Sequence, residues 1–126
     1  MNRYVAMLVL AALPAYAAAD VTDVVNGVRA GSCGESSRDI EPLRKEPRLD
    51  VAARRLAEGM ELEGATAAAQ YPAKLSASIR VRTLEGEQGL ARTLAQRFCD
   101  IVGDGRLTDI GVYELGAEAW LVLAAP

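Results

Sequence analysis

Few residues in this chain have the type and spacing to do chemistry, and histidine is absent from all 126 positions. That removes the imidazole that would activate a serine or cysteine nucleophile, and the commonest neutral ligand for a transition metal. Lys74 and Ser76 are the residue types of a Ser-Lys dyad, but two positions apart in an extended loop they read as solvated chain. Asp100, Asp104 and Asp109 could offer oxygens to Ca2+, yet their spacing is not that of an EF-hand. Asp104-Gly105 reads instead as a helix-ending turn. Glu58 and Glu61 lie near Arg54 and Arg55, where a solvated helix face is expected, worth a few tenths of a kcal/mol per pair. The expectation is therefore no catalytic residue, no metal site and no cofactor.

Elements must hold whatever remains. Leu49, Ala52, Ala53, Leu56, Ala57 and Met60 recur at helical spacing and predict an amphipathic helix from about Pro47 to Glu63, with Pro47 in its first turn. Gly64-Ala65-Thr66 would end it. Val21, Val24, Val25 and Val28 predict a shorter first helix, capped by Asp20 or Thr22 and stopped at Gly31. Residues 31–41 read as a loop, and residues 65–78 are weakly patterned, with Tyr71-Pro72 as a breaker. Ile79-Arg80-Val81-Arg82-Thr83 alternates as a half-exposed strand does. Leu90, Ala91, Leu94, Phe98, Ile101 and Val102 predict a third helix, ended by Gly103-Asp104-Gly105. Leu107 to Leu115 and Ala119 to Ala124 predict a hairpin around Gly116. Tyr113 and Trp120 lie on its two arms. A core role is the simpler reading for them, and an exposed ligand face is the other.

The N-terminal segment has a different character. Arg3 precedes an apolar run from Tyr4 to Leu13 that is too short to span a bilayer, and Ala17-Ala18-Ala19 offers a cleavage site before Asp20. Residues 1–19 are read as a signal peptide and 20–126 as one exported domain, secreted or periplasmic, with no membrane span after cleavage. Losing Arg3 takes the net charge from −3 to about −4. A mildly acidic chain with scattered basic residues lacks the footprint of nucleic-acid binding. In an exported chain, Cys33 and Cys99 are expected to form one disulfide, with loop-closure stabilisation of roughly 4 kcal/mol at most. A reactive thiol pair is the alternative, with neither C-x-x-C spacing nor a histidine to support it.

Several of these segments resemble the CAP superfamily of cysteine-rich secretory, antigen 5 and pathogenesis-related proteins. Val25-Asn26-Gly27-Val28-Arg29 matches its "V-N-x-x-R" helix, and Cys33-Gly34 follows as in bacterial members. Pro42-Leu43 and Leu49 with Ala52-Ala53 match its "P-L … L-x-x-A-A" opening. Leu107-Thr108-Asp109-Ile110-Gly111-Val112 resembles its "f-t-x-i-G-v" strand, and Trp120-Leu121-Val122-Leu123 its closing strand. The resemblance implies an α+β domain, a small α-β-α sandwich with three main helices on a short antiparallel sheet. The family's two-histidine, two-glutamate tetrad is not carried over. Ser76-Ala77-Ser78-Ile79 stands where "G-E-N" would, and Arg97-Phe98-Cys99-Asp100 where "H-x-x-N" would.

The favoured reading is an exported, monomeric, non-catalytic domain acting by surface binding or as a scaffold. Its partner would be a protein or a small apolar ligand. One alternative, implied by the resemblance, is a carrier of a lipid or sterol, which needs an apolar pocket between helix and sheet. The other is a hydrolase with a degenerate carboxylate site.

Overall fold

The computed structural model describes residues 20–33 and 40–126, so residues 1–19, read above as a signal peptide, lie outside the described residues. Among the described residues, five helices and four strands follow in chain order. They are α1 (Val21–Gly31), β1 (Arg44–Lys45), α2 (Pro47–Ala57), α3 (Leu62–Ala68), β2 (Leu75–Arg82), α4 (Gly86–Arg97), α5 (Cys99–Val102), β3 (Asp109–Leu115) and β4 (Glu118–Ala125). The strands form one sheet in the order β1-β3-β4-β2. Pairing is antiparallel except for β1, which lies parallel to β3 through Arg44 and Lys45. The sheet is thus mixed, because two residues of the extended approach to α2 dock on its edge.

β4 is central and covered on both faces, which explains its unbroken apolar run. Leu121 and Leu123 point into one core with α1, α4 and α5, alongside Val25, Leu94, Val102 and Ile110. Val122 and Ala124 point into a second core with α2 and α3, alongside Leu49, Ala52, Ala53 and Ala65. The result is an α+β domain in three layers, α-β-α. Leu49, Ala52 and Ala53 thus share a core with Val122, and Leu94 and Ile110 lie in the other. The period-2 alternation of β4 sends neighbouring residues to opposite sides.

Several element boundaries differ from the sequence reading. Helix α2 stops at Ala57 because Gly59 takes a left-handed conformation at φ +99°. The Gly59 N–H donates to Leu56 O at 2.9 Å and the Met60 N–H to Arg55 O at 3.0 Å, a Schellman stop. Met60 therefore leaves the apolar face and is 41% exposed, and Leu56 is only half-buried. Gly64-Ala65-Thr66 does not end a helix but forms the middle of α3. That helix stops in the same way, with Gln70 at φ 59° and the Tyr71 N–H donating to Thr66 O at 3.0 Å. The expected third helix is broken at Phe98 into α4 and α5. Strand β2 starts earlier than expected, at Leu75, and so takes in Ser76-Ala77-Ser78.

Candidate binding groove

The residues singled out for chemistry are not assembled. Lys74 and Ser76 share no hydrogen bond; the Lys74 backbone N–H extends the ladder to Ala125 O at 2.8 Å. Asp100 is exposed on α5, whereas Asp104 closes a turn by accepting from Arg106 Nη2 at 2.8 Å, so that Arg106 holds its carboxyl below the usual range. Asp109 is buried at the start of β3. Its Oδ2 accepts from the Tyr71 hydroxyl at 2.7 Å, and its Oδ1 pairs with Arg44 at 3.3 Å. Glu58 pairs with Arg55 at 3.2 Å and Arg54 at 3.8 Å on the solvated face of α2, and Glu61 precedes α3 without capping it through its side chain. Among the described residues no group of three or more His, Cys, Asp or Glu side chains could hold a metal ion. Cys33 and Cys99 are joined, with Cα atoms 5.1 Å apart, and tie the end of α1 to the start of α5.

The "V-N-x-x-R" segment proves to be a clamp. Asn26 accepts from the Leu43 N–H at 2.8 Å and donates to Leu43 O at 3.1 Å. Arg29, only 2% exposed, donates to four backbone carbonyls: Glu41 and Leu107 at 2.8 Å, Asp104 at 3.0 Å and Val102 at 3.1 Å. Burial lowers its pKa, but a guanidinium stays charged, and the carbonyl dipoles replace its water.

The surface opens between the outer edge of β2 and one stripe of α4. There a groove of about 520 Å3 is lined by Arg80, Val81 and Arg82 on one side and Gly89, Thr93 and Arg97 on the other, with Leu84, Glu85, Phe98 and Glu118 completing it. Spacing explains the α4 side: Gly89, Thr93 and Arg97 are four apart and share one helix face. Arg80 pairs with Glu118 across the β2–β4 ladder and lies over the Trp120 ring at 5.2 Å. That arginine holds the Glu118 carboxyl below its ordinary pKa. Arg97 lies over the Phe98 ring at 5.5 Å. Arg82 faces Glu118 in the ladder and adds to that pull on its carboxyl, whereas Arg97 forms no ion pair with an acidic side chain among the described residues. Tyr113 and Trp120 are half-buried on the α2 side of the sheet, 6.2 Å apart, and Arg54 covers Tyr113 at 5.9 Å. They belong to the margin of the second core, and Arg80 alone links Trp120 to the groove.

A second cleft of about 400 Å3 lies over the Arg29 clamp, between Pro42, Arg44 and Thr108. Thr108 Oγ1 is buried without a hydrogen-bond partner. The arginine groove was not legible in the sequence, because it needs β2 at the sheet edge and α4 laid beside it.

Two solved structures share this layered arrangement. A cysteine-rich secretory protein from Staphylococcus aureus subsp. aureus Mu50 aligns with a TM-score of 0.66 at 15% identity, over 84% of this chain and 37% of that one. An extracellular protein containing a SCP domain, from Bacillus anthracis str. Ames, aligns with a TM-score of 0.64 at 11% identity, over 84% of this chain and 39% of that one. The fold is that of SCP-domain proteins. This chain spans about two fifths of the length of each of those proteins. No protein-family model matches the chain, and no curated protein sequence does.

Proposed function

We propose that the chain is an exported, non-catalytic binding domain that holds anionic groups in the groove between β2 and α4. The observation that carries this reading is that Arg80, Arg82 and Arg97 line one groove against Glu85 and Glu118, a local excess of positive charge in a chain of net charge −3. A guanidinium presents a planar fork suited to carboxylate or phosphate. Export is supported by the N-terminal pattern and by the SCP-domain fold. The non-catalytic part is supported by the dispersal of the candidate groups: the buried carboxylate of Asp109 already bonds Tyr71 and Arg44.

A lipid or sterol carrier would need an apolar cavity. Both clefts instead mix arginine and glutamate with their apolar residues. The test is a titration of the full chain with citrate and, separately, with the fluorescent sterol dehydroergosterol, followed by NMR of the arginine Nε–Hε groups. Citrate should shift Arg82 and Arg97 saturably, and the sterol should not bind. Saturable sterol binding that leaves both arginines unmoved would favour the carrier, and no response to citrate would remove the groove as a binding site.

A further inference from the structure

Resting on that reading, we infer that the groove takes an extended acidic peptide segment, which adds as a strand along the free edge of β2 and places carboxylates on Arg82 and Arg97. Strand β2 is eight residues long and, among the described residues, ends the sheet with β4 as its one neighbour. In an antiparallel pair about half of a strand's N–H and C=O groups point away from the partner, so the outer edge of β2 presents a row of donors and acceptors. The groove meets the last three residues of β2, Arg80 to Arg82. An added strand would gain ladder hydrogen bonds there, and its side chains would meet the guanidinium groups.

Charge selects the occupant. Leu75 to Arg82 contains two arginines and no acidic residue. Arg80 and Arg82 share one face of the strand, about 7 Å apart along it. A second copy of β2 would bring only positive charge to this edge, so self-pairing is opposed. A strand with carboxylates on both faces would instead meet Arg82 on that face and Arg97, which projects from α4, on the other. Arg80 is already held by Glu118. Arg82 and Arg97 are exposed, so the strand would meet them without opening the fold.

The test uses the full chain, a blocked hexapeptide of glutamate, the same peptide with alternate backbone amides N-methylated, and citrate. Binding is read by calorimetry, and exchange of the β2 amides by NMR. The plain hexapeptide should bind at least about tenfold tighter than citrate and slow exchange of the outward-facing β2 amides. N-methylation should weaken it about tenfold, as should the R82E/R97E double variant and, more mildly, R82Q/R97Q, each with an unfolding midpoint equal to that of the unchanged chain. Equal binding of both peptides without amide protection would overturn strand addition while leaving the anion groove standing. Protection without peptide that grows with protein concentration would show a second copy on this edge and overturn the inference. Failure of citrate and both peptides to bind would sink the groove reading as well.

Discussion

Arg29 shows how one side chain can organise a domain. Its four carbonyl acceptors come from the approach to β1, from the end of α5 and from the turn before β3, so a single planar cation fixes three segments at once. A lysine has the charge but not the fork, and it would leave several of these carbonyls unpaired. Arg29→Lys should lose at least about 2 kcal/mol in urea unfolding. A loss within about 0.5 kcal/mol would show that the clamp is not needed. Tyr71 makes the matching prediction on the acidic side. Its hydroxyl is buried and donates to Asp109, and burial followed by that carboxylate pushes its pKa well above the ordinary value of 10.0. The neutral phenol is the form the fold prefers. Its contribution is complete below about pH 10, where both states are protonated, and declines as the unfolded tyrosine ionises above that. Denaturant unfolding between pH 8 and 11 should show this decline, and Tyr71→Phe should flatten it while lowering stability at pH 8. An unchanged slope in the variant would assign the alkaline loss to another group.

Helix and strand types were legible wherever the burial period was plain. α1, the start of α2, the body of α4 and the hairpin of β3 and β4 follow from apolar spacing, and Asp20 caps α1 by accepting from the Thr22 N–H at 3.0 Å. What was hidden is instructive. The sequence put the stop of α2 at Gly64, but Gly59 provides it, and the stop of α3 falls on Gln70, a residue with no preference for a left-handed backbone. Gln70→Gly should therefore raise stability by about 0.5–1 kcal/mol, measured as a higher urea midpoint with an unchanged slope. A lower midpoint would mean that the side chain contributes more than the backbone conformation costs. Gly111, by contrast, could be placed on a strand by pattern but not explained by it. A Cβ there would lie 2.0 Å from the backbone of Leu49, so this glycine sets how closely α2 can lie on the sheet. The adjacent Val112 N–H donates to Asp50 at 2.8 Å and fixes the same contact. The candidate groove was least legible of all, since Arg82 and Arg97 gain meaning only once β2 is an edge and α4 lies beside it.

At the scale of the whole molecule, the sheet divides the interior into two cores, and the links between distant parts are few and specific. The Cys33–Cys99 bond is one, closing a separation of 66 residues. Replacing both cysteines by alanine should lower stability by up to about 4 kcal/mol, read as the difference in unfolding free energy from the oxidised chain. A difference below about 1 kcal/mol would mean that the Arg29 clamp already restrains the same segments. The position of β4 carries a further consequence. It is the middle of the sheet in space but follows every other described element in the chain. On a ribosome, β2 and β3 are made first and wait without their shared neighbour. The two cores cannot close until Leu121, Val122 and Leu123 have emerged. The same uncharged apolar run is the segment most ready to pair with a foreign strand while it is exposed. Synthesis order thus keeps the domain open to the last, a state suited to a chain threaded unfolded across a membrane and hazardous for one that lingers where it was made.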